Sequence, residues 1–275
     1  MPGERPFLPY GRHFIEDDDI EAVTDVLRGE FLTTGPVVDA FENTLAEVTG
    51  ARHVVSCSSG TAALHLTASA LDLGPGDWAI VPAMTFLATA NAARYVGADV
   101  IFADVDAETG LMTSETFEAA RATAMGSVKA VYPVHINGQT ANMAAIRQVA
   151  GDMPIVEDAC HALGGVHKAA NGEWVPVGSC AYSEMSIFSF HPVKTVAMGE
   201  GGAVTTNDDH LAERLRRHRN IGMNRNPETI ENAGQAFDTS GEINPWYYEM
   251  PELGLNYRAS AVHCALGLNQ LGKLE

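Results

Sequence analysis

The sequence is short of positive charge and of aromatic residues. Its 275 residues include 17 Lys and Arg against 35 Asp and Glu, a formal net charge of −18, and 7% of them are aromatic. A chain this acidic is repelled by the phosphates of nucleic acids and by anionic lipid surfaces, so we expect neither as a partner. Any phosphate-bearing ligand must therefore be held by local groups.

The sequence also lacks the features of a membrane or secreted protein. No apolar run approaches the roughly 20 residues that a membrane span requires, and the N-terminus has no apolar core of signal-peptide length. The cysteines form no CxxC pair and no zinc-type His/Cys spacing, so we expect no metal site; they are Cys57, Cys160, Cys180 and Cys264. Their apolar or Gly/Ser surroundings favour buried thiols in a reducing compartment, which predicts a cytoplasmic protein.

Three nucleotide or nucleophile motifs are missing as well. There is no Gly-x-Gly-x-x-Gly turn after the first predicted strand, no Walker sequence and no Gly-x-Ser-x-Gly elbow. These absences argue against nicotinamide binding, P-loop chemistry and serine hydrolysis.

From residue 53 to residue 157, short apolar strands alternate with amphipathic helices. This order is typical of right-handed crossovers and predicts an α/β fold, with a mostly parallel sheet covered on both faces by helices. The predicted strands are 53–57, 78–81, 99–103, 128–134 and 154–157, and the helices between them are 60–71, 85–95, 113–124 and 143–150. Ligands of such sheets bind at the carboxyl ends of the strands.

Less regular segments flank this core. Helices are predicted at 17–28 and 36–48 before it; strands near Ala181, at 185–190 and 202–206, and helices at 208–219 and 260–274 follow it. Residues 221–252 form a long polar segment that contains an aromatic cluster, 246–248. Its composition favours a binding loop over a disordered linker.

Lys194 lies between an apolar strand and a Gly-rich stretch with few other charges. A lysine in such surroundings suits Schiff-base chemistry, for which its pKa must fall. A surface lysine that simply follows a strand is the alternative interpretation.

Two more candidates occur where strands end. Ser59, Gly60 and Thr61 open a predicted helix, whose free N–H groups and dipole attract a phosphate, although Ser59 would also serve as an ordinary N-cap. Asp158 ends the strand 154–157, where it could hold a cationic group protonated, or could merely cap a helix; His161 follows one helical turn later.

The candidate residues are more informative as a set than one by one. A phosphate clamp, a carboxylate for a pyridinium nitrogen, a lysine for a Schiff base and a nearby hydroxyl, Ser189, are the groups that pyridoxal phosphate requires. The sequence therefore predicts a pyridoxal-phosphate site.

The sequence resembles the DegT/DnrJ/EryC1/StrS sugar aminotransferases, a branch of the fold type I pyridoxal-phosphate enzymes. The matching motifs span nearly the whole chain and are Leu32-Thr33-Thr34-Gly35-Pro36, Ser58-Ser59-Gly60-Thr61-Ala62-Ala63-Leu64, Pro82-Ala83-Met84-Thr85-Phe86, Glu157-Asp158-Ala159-Cys160-His161-Ala162, Ser189-Phe190-His191-Pro192-Val193-Lys194, Gly199-Glu200-Gly201-Gly202 and Asn256-Tyr257-Arg258.

The resemblance implies a three-layer α/β/α fold and a role for each matching residue. Lys194, Asp158 and His161 would be catalytic: Lys194 bonds covalently to the cofactor, Asp158 pairs with its pyridine nitrogen and His161 lies beside it. Ser59, Gly60, Thr61 and Ser189 would hold the phosphate, Phe86 would stack on the ring, and Asn256 would reach the cofactor of a second subunit in a homodimer with shared active sites. Tyr10 and the loop of Glu30, Phe31, Leu32 and Thr33 match substrate-contacting positions.

The resemblance also implies a reaction. The amino group would pass from L-glutamate to the C4 keto carbon of a nucleotide-linked 4-keto-6-deoxy sugar, with UDP as the expected nucleotide. The similar subgroup is the UDP-4-amino-4,6-dideoxy-N-acetyl-altrosamine transaminases of pseudaminic acid biosynthesis. A lysine rather than a histidine at position 194 argues for transamination and against sugar dehydration.

One departure from the family pattern affects the expected domains. Residues 1–35 would form an N-terminal arm and helix, 36–259 the cofactor-binding large domain with the 221–252 loop, and 260–275 the start of the helix that leads into a small C-terminal domain. On this comparison the small domain, which closes over the sugar nucleotide in family members, would be largely absent from the 275 residues. A truncated or non-catalytic homologue that binds pyridoxal phosphate or partners without turnover is therefore the alternative function.

Overall fold

The structure is a computed structural model that describes residues 7–169 and 172–274. The first six residues of the expected N-terminal arm, and Glu275 at the end of the 260–275 segment, lie outside the described residues. In chain order the helices are α1 Asp17–Arg28, α2 Pro36–Thr49, α3 Gly60–Ala70, α4 Leu87–Tyr95, α5 Ser114–Arg121, α6 Met143–Ala150, α7 Asp209–Arg219, α8 Ala233–Ala236 and α9 Ala261–Leu271. The strands are β1 His53–Cys57, β2 Asp77–Pro82, β3 Asp99–Ala103, β4 Ser127–Val131, β5 Val156–Asp158, β6 Val166–Lys168, β7 Trp174–Pro176, β8 Met185–Ser189 and β9 Gly202–Thr206.

A mostly parallel sheet runs through the centre of the molecule. Two parallel bridges, Val131 to Ile155 and Val134 to Asp158, join the β3-β2-β4 group to the β5-β8-β9-β1 group. Within this sheet only β9 runs against its neighbours β8 and β1. The predicted α/β fold is confirmed, and the carboxyl ends of its parallel strands meet at one edge.

Alternate residues of the strands pack into different layers of helices. Val55 and Ile187 belong to the apolar cluster that contains residues of α3, α4 and α7. Their chain neighbours Val54 and Phe188 belong to a cluster with residues of α2 and α9. Because successive strand residues point to opposite faces, the sheet is covered on both sides.

Local sequence signals explain where several helices begin and end. Helix α2 has Pro36 at its first position and stops at Gly50, whose φ of 73° is left-handed. Helix α7 begins after Asp208, whose carboxylate accepts the Leu211 N–H, and carries basic residues in its last turn.

The structure differs from the predicted secondary structure at several places. The segment near Ala181 is not a strand but a series of bends that follows Cys180, whose φ is 53°. The antiparallel pair β6 and β7 was not predicted, because each strand is only three residues long and is too short to show a period in the sequence. Helix α4 begins at Leu87 and not at 85, because Phe86 is extended.

The long polar segment after α7 contains short structured pieces. They include a 3₁₀ turn at Pro227–Thr229, helix α8, and single antiparallel bridges that pair Asn224 with Glu249 and Phe237 with Ile243. Across the described part of the chain, no helix has the length and apolar character needed to cross a bilayer.

We predict that Phe41→Ala lowers the free energy of unfolding by about 3–5 kcal/mol, because truncating a fully buried aromatic residue leaves a cavity. Phe41 is 0% exposed and its ring stands edge-on to Phe190, with centroids 5.3 Å apart. Phe102→Ala is the matched control, since Phe102 is 59% exposed and the expected change is about 0.5 kcal/mol or less. Urea unfolding measures both variants. Equal losses in the two would contradict this description of the core.

Candidate active site

A cavity of about 540 Å³ opens at the edge where the parallel strands end. The turns that follow β1, β2, β5 and β8, together with residues 134–136, form its walls. Its lining residues are Tyr10, Ser59, Gly60, Thr61, Leu64, Thr85, Phe86, Ala88, Val134, His135, Ile136, Asp158, Cys160, His161, Ser189, His191, Val193, Lys194 and Glu200. Nine of the residues singled out in the sequence are thus brought together: Tyr10, Ser59, Gly60, Thr61, Phe86, Asp158, His161, Ser189 and Lys194.

The N-terminus of α3 forms one wall of this cavity. Ser59 caps the helix by accepting the Ala62 N–H through Oγ at 3.0 Å, so the ordinary capping role is present. The first N–H groups of a helix have no carbonyl partner within the helix, which leaves the amides of Gly60 and Thr61 available to an anion. Capping and anion binding are therefore compatible at this position.

Two glycines allow the strand β9 and the turn after β8 to approach this wall. A Cβ on Gly202 would lie 2.2 Å from the Ser59 carbonyl oxygen and 2.8 Å from the Gly60 nitrogen. A Cβ on Gly60 would lie 2.7 Å from Cβ and 3.2 Å from Oγ of Ser189. Close contact thus places the Ser189 hydroxyl beside the start of α3.

Asp158 is a buried carboxylate at the carboxyl end of β5, 5% exposed. Its Oδ2 accepts the Thr89 hydroxyl at 2.7 Å, and its Oδ1 accepts the Cys160 N–H at 3.3 Å. Within residues 7–169 and 172–274, no cationic side chain forms an ion pair with it. A buried carboxylate without a cation is costly, so this arrangement favours a ligand that brings positive charge.

The hydroxyls that support Asp158 were missed in the sequence. Thr85 Oγ and Thr89 Oγ lie 2.8 Å apart, so a chain of hydrogen bonds runs from the cavity lining through Thr89 to Asp158. Asp158 is 69 positions away from Thr89. No local sequence pattern predicts such a contact, because Thr89 and Asp158 come together only when the fold places β5 beside the start of α4.

Lys194 lies in the loop that connects β8 to β9, where its backbone N–H donates to the His191 carbonyl at 2.8 Å. Its side chain is half-buried and, among the described residues, has no carboxylate partner. His161 lies near it: burial lowers the pKa of His161, and the charge of Lys194 lowers it further. The neutral imidazole is therefore favoured in the cavity.

Cys160 also lines the cavity but is not a reactive thiol. Burial raises its pKa well above the usual value, and the charge of Asp158 raises it further. A thiolate is the nucleophilic form of cysteine, so the structure gives Cys160 a packing role.

The remaining expected site residues divide into two groups. Phe86 and Tyr10 line the cavity with exposed rings, and the N-terminal arm approaches it where Gly11 packs against Val193. Glu30, Phe31, Leu32 and Thr33 do not line it; their loop is held at the start of α9, where Leu32 accepts the Ala261 N–H at 3.1 Å. Asn256 is exposed, forms a bridge with Asn220 and also lies outside this lining.

The chemistry of the cavity fits pyridoxal phosphate. A helix N-terminus with an adjacent hydroxyl suits the phosphate, Asp158 suits a protonated pyridine nitrogen, and Lys194 is an amine without a carboxylate partner. Among the described residues, no group of three or more His, Cys, Asp or Glu side chains is arranged to hold a metal ion.

Comparison with known proteins identifies related chains. The model of the DegT/DnrJ/EryC1/StrS aminotransferase family matches residues 13–275. Among solved structures, Helicobacter pylori PseC, an aminotransferase involved in the biosynthesis of pseudoaminic acid, is 26% identical with a TM-score of 0.81 over 97% of this chain and 65% of its own. The PLP-form of the putative sugar aminotransferase Spr1654 from Streptococcus pneumoniae is 27% identical, also with a TM-score of 0.81, over 97% and 66%.

A further similar structure is DesI, solved in the presence of its TDP-sugar product. It is 31% identical with a TM-score of 0.79, over 99% of this chain and 62% of its own. The chain therefore spans just under two thirds of the length of these proteins.

We predict that Gly202→Ala distorts the start of α3 and lowers the free energy of unfolding by about 1–3 kcal/mol, because the added methyl group meets backbone atoms that cannot move aside easily. Gly74→Ala is the matched control, since a Cβ there has no atom within 4 Å. Urea unfolding reports stability, and the amide NMR signals of Gly60 and Thr61 report the local structure. Unchanged amide signals in Gly202→Ala would contradict the close approach of β9.

Proposed function

Because the chain belongs to the DegT/DnrJ/EryC1/StrS aminotransferase family, we propose that it uses pyridoxal 5′-phosphate to transfer an amino group to a keto sugar. The observation that carries this proposal is the buried Asp158, which has no ion-pair partner among the described residues and lies in one cavity with Lys194 and the open N-terminus of α3. In finer detail, we propose L-glutamate as the donor and the C4 keto carbon of a nucleotide-linked, UDP-type 4-keto-6-deoxy sugar as the acceptor. The similarity to PseC, an aminotransferase involved in the biosynthesis of pseudoaminic acid, supports a sugar of that type, and the TDP-sugar product of DesI supports a test of TDP sugars beside UDP sugars.

The predicted site residues that line the cavity each have a task in this proposal. Gly60, Thr61, Ser59 and Ser189 hold the phosphate of the cofactor through backbone amides and hydroxyls. Phe86 packs against the ring, and His161 donates a hydrogen bond beside it. A buried ionised Asp158 favours the protonated pyridine nitrogen by direct charge pairing.

The cofactor, when bound, supplies an electron sink for the charge that develops at the substrate carbon. Lys194 would hold the cofactor covalently. As a free amine, its Nζ would take the proton from the substrate carbon that carries nitrogen, and as the resulting ammonium it would give that proton to the cofactor, acting as general base and then general acid. Tyr10, at the mouth of the cavity, contacts the substrate.

The quaternary structure and location are part of the same proposal. Asn256 lies outside the cavity of its own chain, which supports a homodimer in which it reaches the cofactor of the partner subunit. The loop of residues 30–33 would likewise contact a substrate only in the assembled site. A cytoplasmic location is supported by the absence of disulfides among four free cysteines.

The domain organisation is also proposed. Residues 36–259 would form the cofactor-binding domain, with 1–35 as its N-terminal arm, and 260–275 would lead into a small domain that closes over the sugar nucleotide. A homologue that binds the cofactor or partners without turnover is the competing function, and the next experiment separates the two.

We expect the purified chain to bind pyridoxal phosphate covalently at Lys194. Reduction with borohydride, followed by peptide mass spectrometry, should locate the cofactor on the peptide that contains Lys194, and Lys194→Ala should abolish the adduct. Lys168→Ala, which removes an exposed lysine on β6, is the matched control and should leave the adduct intact. An adduct that persists in Lys194→Ala would disprove the assignment.

Turnover is measured separately, as 2-oxoglutarate formed from L-glutamate with UDP- and TDP-linked 4-keto sugars. L-Glutamine in place of L-glutamate tests the donor, with 2-oxoglutaramate as the keto product to be measured. Cofactor bound at Lys194 without 2-oxoglutarate from any sugar would favour the homologue without turnover.

We expect Thr89→Val to weaken cofactor binding by about 10- to 100-fold, because a hydrogen bond to a charged group contributes about 1.5–3 kcal/mol. The change preserves side-chain volume and removes the hydroxyl donor to Asp158. Thr67→Val is the matched control, a buried threonine in α3 whose hydroxyl donates to the Leu64 carbonyl. The dissociation constant is measured by absorbance titration with pyridoxal phosphate. Equal affinities for wild type and Thr89→Val would show that Thr89 does not support the charge of Asp158.

A further inference from the structure

A second polar group lies behind the cavity, built on Glu157 and His135. Both residues are 0% exposed, and His135 Nε2 lies 2.8 Å from Glu157 Oε2. The other carboxylate oxygen accepts the hydroxyl of Ser183. The His135 ring and the Ser183 hydroxyl thus bind the two oxygens of one carboxylate, and hydrogen-bond donors at both oxygens favour its ionised form.

The partners of the His135 ring assign its tautomer. Nδ1 accepts the backbone N–H of Ala141 at 3.2 Å and therefore carries no proton. Nε2 faces the Glu157 carboxylate and therefore carries the proton. If Nδ1 also carried a proton, its N–H would face the N–H of Ala141, and two donors cannot form a hydrogen bond. The Glu157 carboxylate and the Ala141 amide therefore together select the neutral ring with its proton on Nε2.

This ring closes the loop of residues 135–141. The loop starts where the His135 N–H donates to the Asp158 carbonyl at 3.0 Å, and it ends where the Ala141 N–H donates to the His135 side chain. Between these points the backbone makes a tight turn, in which Asn137 has a left-handed φ of 54°. The loop is thus held at both ends by one histidine.

The tip of the loop contacts His161. The Asn137 N–H donates to His161 Nδ1 at 3.1 Å, and a Cβ on Gly138 would lie 3.1 Å from the His161 carbonyl oxygen. Since Nδ1 accepts this hydrogen bond, the proton of the neutral His161 ring resides on Nε2. His161 can then present a hydrogen-bond donor to a ligand in the cavity that it lines.

We infer that the buried Glu157–His135 pair is a positioning unit that fixes the orientation and the Nε2–H tautomer of His161 through the 135–141 loop. Neither residue of the pair makes the contact itself: the effect passes from the His135 ring to Ala141, along the loop to the Asn137 amide, and from there to His161. The hydrogen bonds are observed in the structure of this chain. Their importance for catalysis rests on the proposed function.

A purely structural pair would also stabilise the fold, so stability does not test the inference. The decisive measurement is the tautomer of His161 in the ligand-free chain, read from two-bond ¹⁵N–¹H correlations of its ring, with the signal assigned by its loss in His161→Gln. The expected result for the wild type is a single Nε2–H form. A wild-type ring protonated on Nδ1 would overturn the inference at once, whatever the variants do.

Two variants test the connection between the pair and His161. His135→Gln retains a donor for Glu157 but removes the acceptor of the Ala141 N–H, and we expect the His161 signal to become a mixture of tautomers. Ser183→Ala is the matched control, because it removes the other partner of Glu157 without touching His135; it should lower the melting temperature and leave His161 unchanged. A folded His135→Gln with a wild-type His161 signal would disprove the relay.

Glu157→Leu provides the same test if His135→Gln does not fold. It removes the acceptor of the His135 Nε2–H, so the ring is no longer held in the orientation that accepts the Ala141 N–H, and the His161 signal should again become a mixture of tautomers. A single Nε2–H form of His161 in the folded Glu157→Leu chain would contradict the inference. Because these spectra need no cofactor, they can fail while cofactor binding at Lys194 succeeds, or succeed while it fails.

Discussion

The active site depends on one carboxylate that lies where a negative charge is costly. Asp158 ends a buried strand, is almost inaccessible to solvent, and has a hydroxyl and an amide as partners but no cation among the described residues. Desolvating a carboxylate without a counter-charge costs several kcal/mol. A ligand that supplies the missing positive charge therefore stabilises the folded chain as it binds. The site is, in this sense, completed by its cofactor.

The direction of the strands decides which groups surround this carboxylate. Parallel strands end at the same edge, so the turns after β1, β5 and β8 bring the start of α3, Asp158 and Lys194 to one cavity. The single antiparallel strand, β9, pairs with β8 after the loop that contains Lys194. Gly202 allows this return, because any side chain there would collide with the backbone of Ser59.

Alternation along β5 gives its two neighbouring carboxylates different surroundings. Asp158 lines the cavity, whereas Glu157 points to the other face of the strand and pairs with His135 and Ser183. Asp158 thus lacks a positive partner that a ligand could supply, whereas Glu157 has its hydrogen-bond partners within the protein. Glu157 organises the 135–141 loop, which in turn contacts His161 at the cavity.

Much of this architecture was already determined by local sequence. The helices 17–28, 36–49 and 143–150 follow from apolar periodicity and their flanking residues, and Lys194, Asp158 and Ser59 to Thr61 follow from residue type after apolar strands. The hairpin of β6 and β7 and the bends near Ala181 were not predicted, because such short segments carry too few residues to show a period. Only the tertiary structure decided that Thr89 supports Asp158 and that His135 joins Glu157 to the loop beside His161. Those contacts link residues between 22 and 69 positions apart, and local propensity contains no information about which distant groups a folded sheet will bring within hydrogen-bonding distance.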